Sequence, residues 1–172
     1  MTKQSHYLGV DPGRNGGFVL IDEQGKYILS WEMPTLGREI PAADIANIYY
    51  EIKDVCQGVP PRVFIEKIFI MPTDGKSGMM TYAQGAGRLE MIALWKWPTH
   101  LVSPREWTKV IHDGIARDLK PKEKSLRIFM GCYPELYMKG SDFWPSRRNR
   151  PHDGLIDAIL IADYGRRKFA AE

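Results

Sequence analysis

Short apolar runs separated by tight turns open the chain. Tyr7 to Val10 ends at Asp11 and gives way to a glycine-rich turn, Pro12 to Gly17. Phe18 to Ile21 follows, then a turn at Glu23-Gln24-Gly25, then Tyr27 to Trp31. Three such runs predict an antiparallel meander. After Pro41 the period changes: Ile45, Ile48, Ile52 and Val55 recur at helical spacing, and Gly58 with Pro60-Pro61 closes that helix. Val63-Phe64-Ile65 predicts a buried strand that delivers Glu66. The loop Met71 to Gly78, with Pro72, Gly75 and Ser77, leads into a helix over Met79 to Trp95, its small residues Ala83, Gly85, Ala86 and Gly87 on the inner turns. Thr99 to Val102 predicts a short strand. Ser103 is a natural N-cap, with Pro104 at the first helical position and Glu106 three residues on. A further helix begins near Pro121, Gly140 to Pro151 is polar and irregular, and a last helix runs from His152 to Lys168. This succession of strands and helices predicts one α/β domain over residues 1–172, a mixed sheet covered by helices on both faces.

Composition narrows this picture only slightly. At 172 residues, with 44% hydrophobic and 26% charged positions, the chain suits one globular core. The net charge of +3 is small, but the second half is basic, with Arg105, Lys109, Arg117, Lys120, Lys122, Lys124 and Arg127 followed by Arg147, Arg148 and Arg150. Such a distribution fits a polyanionic partner and equally an ordinary solvated face. Cys56 and Cys132 lie far apart without zinc-ligand spacing, which fits a reducing, cytoplasmic compartment. The N-terminus has no apolar signal core and no stretch suits a membrane span, so no membrane association is expected, and neither is an organelle precursor. A bacterial or phage origin is the corresponding expectation.

Four acids stand out by position. Asp11 ends the first predicted strand, and Glu66 lies in an otherwise apolar strand, VFIEKIFI. Asp153 and Asp157 are four apart on the last helix, hence on one face, among the apolar residues Leu155, Ile156, Ile159, Leu160 and Ile161. Acids beside a buried surface are costly unless something positive neutralises them. A pair of divalent cations about 3.5–4 Å apart does so while activating water and stabilising a leaving alkoxide in phosphodiester hydrolysis. Carboxylates without thiolates or a histidine cluster suit Mg²⁺. Taken singly, each acid has a plainer reading: Asp11 capping a turn, Glu66 pairing with Lys67 or an arginine, Asp153 capping the last helix, Asp157 facing solvent.

Several strings carry a family resemblance. GVDPGRNGGFVLID resembles the first-strand motif of RuvC-type Holliday-junction resolvases of the RNase H-like superfamily, and FIEKIFI resembles their fourth-strand motif. SPREWTK followed by KEKS is similar to the stretch before the last helices, and HDGLIDAILIADYG to the C-terminal helix of the phage and chloroplast branch. The resemblance spans nearly the whole chain in order. It implies an RNase H-like fold whose mixed five-stranded sheet joins a three-strand antiparallel meander to parallel strands. It also implies two Mg²⁺ ions per site, replaceable by Mn²⁺, held by Asp11, Glu66, Asp153 and Asp157, with His152 a lesser candidate. The family's final acid pair is spaced by three where this chain has four, which favours Asp157 over Asp153. Lys122 and Lys124 align with residues facing the DNA backbone, and Phe69 with an aromatic that wedges against bases. Lys76, Arg147 and Arg148 are further candidates for DNA contact, and the Met71 to Gly78 loop for base reading.

The implied function is resolution of four-way DNA junctions by paired symmetric nicks, leaving 5′-phosphate and 3′-hydroxyl ends. The implied assembly is a homodimer, with Tyr82, Gly85, Gly87, Leu89 and Ile92 as a self-packing surface that periodicity alone reads equally as core. No nucleotide cofactor is implied. Three other readings stand beside this one: a relaxed nuclease of flaps, forks or packaging intermediates; a sugar-kinase or actin-type phosphotransferase, suggested by the Asp-x-Gly hairpin; and a silent junction binder. The second requires two domains around a nucleotide and a second glycine-rich turn, neither of which the sequence offers.

Overall fold

Alternation along the first strand decides the layering. In β1 (His6–Asp11), Leu8 and Val10 join one apolar cluster and Tyr7 joins another on the opposite face, as the two-residue period of an extended chain requires. β2 (Gly17–Asp22) divides likewise, Phe18 and Leu20 against Val19 and Ile21. So does β4 (Arg62–Glu66), with Val63 and Ile65 against Phe64. β3 (Tyr27–Glu32) is only half-buried, as suits an edge strand, and β5 (Thr99–Val102) forms the other edge. The computed structural model describes residues 5–68, 76–116 and 118–169, apart from the side chains at 76–79, 81 and 82.

The sheet order is β3-β2-β1-β4-β5. β1, β2 and β3 form the antiparallel meander, while β4 runs parallel to both β1 and β5. Helices α1 (Ala42–Val55) and α2 (Lys76–Lys96) cover one face with Ile45, Ile48, Ile52, Leu89 and Ala93. Helices α3 (Pro104–Ile111), α4 (Pro121–Cys132) and α5 (Asp153–Phe169) cover the other, a short 3₁₀ turn over Pro134–Leu136 following α4. The fold is therefore the mixed five-stranded α/β sheet, helix-covered on both faces, that the apolar pattern predicts. From Gly154 to Gly165 every residue of α5 except Asp157 is buried. Glycine makes this close packing possible: a Cβ on Gly9 of β1 would stand 2.0 Å from the Ala158 carbonyl oxygen.

The structure corrects three details. α2 begins at Lys76, and its Ala83 and Gly87 face outward while Gly85 and Ala86 are buried. The expected self-packing surface is largely core: Leu89 is fully buried, Ile92 packs on the same cluster, and Gly85 lies against Ile40. The outer face of α2 instead carries Met80, Met91, Leu94 and Trp95, all exposed. β4 ends at Glu66 rather than continuing through the apolar string. Among the described residues no helix is long and apolar enough to cross a membrane.

Candidate functional site

Two neighbouring strands bring the first two acids together. β1 and β4 are parallel with Val10 opposite Ile65, so Asp11 and Glu66, the next residues, leave the sheet side by side at its carboxyl edge. Open α/β sheets collect ligands at this edge. α5 supplies the third acid. Its Gly154 lies so close to the Asn15-Gly16 turn that a Cβ would meet the Asn15 carbonyl oxygen at 2.0 Å. The first turns of α5 therefore sit over the end of β1, which brings Asp157 beside Asp11 and Glu66. Asp153, one turn earlier, is half-exposed and pairs with Lys122 at 3.0 Å.

The three inner acids perturb one another. Burial, then the charge of Asp11 and more weakly that of Glu66, push Asp157 up to about 7; the Ser125 hydroxyl, which outweighs Glu66, and Lys122 oppose them. Burial raises Asp11, opposed by the Gly13 amide and Lys122. Burial also raises Glu66, the Trp107 hydrogen bond opposes it, and the Asp11 charge adds to it. Such mutual repulsion at a low-dielectric edge is relieved either by a proton or by a cation. Even so, among the described residues no three His, Cys, Asp or Glu side chains converge as a ready ligand set. Local donors hold the oxygens: Gly13 N–H donates to Asp11 Oδ1 at 2.9 Å, Trp107 Nε1–H to Glu66 Oε1 at 2.7 Å, and Lys122 to Asp153.

The plainer readings are thus partly combined with the functional one. Asp11 both ties the turn and lines the cleft. Among the described residues Glu66 pairs with neither Lys67 nor an arginine but with Trp107, a partner not apparent in the sequence because a tryptophan at that position reads as core. Ser125 is the other residue missed; it is a buried polar group lining the Asp157 cleft. His152 is buried, accepts the Leu155 N–H through Nδ1 at 3.3 Å, and so caps α5. Burial and Arg148 keep its pKa low.

Basic residues rim a cleft of about 420 Å³ above Asp11, Asp153 and Asp157: Arg14, Lys122, Arg148 and Arg150. Lys124 parts company with Lys122 and lines a different cleft with Arg105, Lys109 and His112. Arg147 and Arg148 both engage Glu32 at the end of β3, so an incoming phosphate would share them with that acid. Phe69, the side chains of Lys76 and Tyr82, and most of the Met71 to Gly78 loop lie outside the described residues.

Sheet order, crossovers and the central α5 together define an RNase H-like α/β fold. Solved structures share it. One described as Thermus thermophilus RuvC in complex with Holliday junction substrate superposes with a TM-score of 0.60 at 18% identity, over 96% of both chains. A second Thermus thermophilus RuvC structure gives 0.55 at 19% identity, over 95% of this chain and 96% of that one. At such identities the likeness is one of fold. No protein-family model matches the sequence, and no curated protein does.

Proposed function

We propose that this chain is a metal-dependent endonuclease that cuts branched DNA, four-way junctions foremost. The observation that carries the reading is the gathering of Asp11, Glu66 and Asp157, acids from three distant segments, near the sheet's carboxyl edge beside a basic-rimmed cleft, where the charge of Asp11 raises the other two. The likeness in fold to structures described as RuvC supports it.

The donor chemistry fits hard divalent cations such as Mg²⁺ or Mn²⁺, since it offers carboxylate oxygens without thiolate. Asp11, Glu66 and Asp157 would hold two of them, with Asp153 contributing after release from Lys122 and His152 remaining the helix cap. Bound there, the ions supply charge neutralisation, an activated water and a stabilised leaving oxygen. The chain's own residues do the rest. Lys122 and Arg150 draw the phosphate into the cleft, while Lys124, Arg147 and Arg148 extend the positive surface along which a backbone can lie. Phe69 and Lys76 remain proposed contacts near the branch point. Water attacks phosphorus as the bond to the 3′-oxygen breaks; the water loses a proton and the 3′-oxygen gains one, leaving 5′-phosphate and 3′-hydroxyl ends. Two copies packed through the outer face of α2 would present two sites to opposing strands.

Asp11→Asn and Glu66→Gln are expected to bind a synthetic four-way junction as well as wild type in gel shifts. Nicking in Mg²⁺ should fall at least about a hundredfold. Normal cutting by either variant would refute the proposal, and equal cutting of flaps and forks would favour the relaxed branched-DNA reading.

A further inference from the structure

We infer that Trp107 and Ser125, joined through His112, are positioning residues for the acid site: Trp107 fixes Glu66 and Ser125 steadies Asp157. The inference rests on the nuclease reading and extends it to uncharged residues of α3 and α4. Its starting point is local. Ser103 and Glu106 form a reciprocal cap, the Glu106 side chain accepting from Ser103 N–H at 2.7 Å and the Ser103 hydroxyl accepting from Glu106 N–H at 3.3 Å. That cap sets the first turn of α3, and therefore the direction in which Trp107 leaves it.

Trp107 is 3% exposed, and its indole N–H, a donor only, is 2.7 Å from Glu66 Oε1. One carboxylate oxygen is thereby fixed, and among the described residues no hydrogen bond engages the other. The indole meets the His112 ring edge-on, centroids 5.6 Å apart. His112 Nε2 in turn lies 3.2 Å from the hydroxyl of Ser125, which is 4% exposed and lines the same cleft as Asp157. The Ser125 hydroxyl lowers the Asp157 carboxyl, as a donor to it does; a hydroxyl donating there would keep only lone pairs for His112, whose imidazole would then carry its proton on Nε2. Glu66, Trp107, His112, Ser125 and Asp157 thus form one continuous line behind the cleft. Packing alone does not explain it, because a phenylalanine would fill much of the Trp107 volume without supplying the donor.

The test uses Trp107→Phe, Ser125→Ala and Ser125→Thr in the full chain. The readouts are the melting temperature titrated with Mg²⁺, four-way junction affinity, and metal-dependent nicking. Both W107F and S125A should bind the junction like wild type, require about tenfold more Mg²⁺ for the same thermal upshift, and nick about ten- to a hundredfold more slowly. S125T, which keeps the hydroxyl, should restore the S125A losses. Wild-type metal dependence and nicking in both W107F and S125A overturn the inference. Should W107F fail to fold, the serine pair decides, and no difference between S125A and S125T overturns it. A wild-type chain that neither responds to Mg²⁺ nor nicks would defeat the nuclease reading itself. Normal S125A and W107F beside an inactive Asp11→Asn would defeat the positioning role only.

Discussion

Asp157 shows how a single side chain can work against the fold that holds it. It is the one residue between Gly154 and Gly165 that is not buried, and its carboxyl is raised from 3.8 to about 7. The folded chain therefore binds a proton that the unfolded chain has released, and stability falls as pH rises through that window, levelling off above it. Asp157→Asn should raise the metal-free melting temperature at pH 8, the gain shrinking toward pH 4. In wild type, added Mg²⁺ should raise the melting temperature more at pH 8 than at pH 6, and far less in the asparagine variant. Thermal denaturation across pH, with and without Mg²⁺, checks both. A flat profile would mean that Asp157 carries no unfavourable charge.

Among the elements, α5 decides whether the acids meet, and two glycines decide whether α5 can approach. Gly154 sits in the helix's first turn, where alanine is intrinsically favoured by about 1 kcal/mol. Here its Cβ would stand 2.0 Å from the backbone oxygen of Asn15, so the helix or the turn must shift. Overpacking of this kind costs about 1–3 kcal/mol or more, and the clash wins. Gly154→Ala should lower the denaturation midpoint despite its better helix propensity. It should also depress nicking beyond what the remaining folded fraction explains, because it moves Asp157 relative to Asp11. Urea unfolding and nicking on one preparation measure both, and unchanged stability would show that the backbones are less tightly fitted.

For the whole molecule, the two faces of the sheet divide the work. α3, α4 and α5 cover one, beside the edge where Asp11, Glu66 and Asp157 gather, while α1 and α2 bury the other and leave Met80, Met91, Leu94 and Trp95 in the open. Exposed apolar side chains along one helix would suit an association site. We expect Met91→Glu with Trp95→Glu to convert a dimer into monomers in sedimentation equilibrium while the circular dichroism stays native. A monomeric wild type would remove the α2 interface. Junction affinity should also fall steeply between about 50 and 200 mM salt, since phosphate contacts displace condensed cations. Weak salt dependence would argue against the Arg14, Lys122 and Arg150 rim.

Local patterning by itself determined the type of each β-strand and α-helix, though neither the 3₁₀ turn at Pro134–Leu136 nor the start of α2 at Lys76, because the two-residue and helical periods are written in neighbouring residues. The capping signal Ser103-Pro104-Glu106 was equally legible, its partners being three residues apart. The positions of Asp11 and Glu66 at strand ends followed from the same patterns. Tertiary structure alone decided which neighbours those acids have. Parallel pairing of β1 with β4 sets the first two acids side by side, and backbone contact at Gly9 and Gly154 brings in the third. It also decided that Glu66 answers to Trp107, and that the inner face of α2 belongs to the core. These outcomes depend on distances between segments far apart in the chain, and a residue's period along its own element carries no information about what lies opposite.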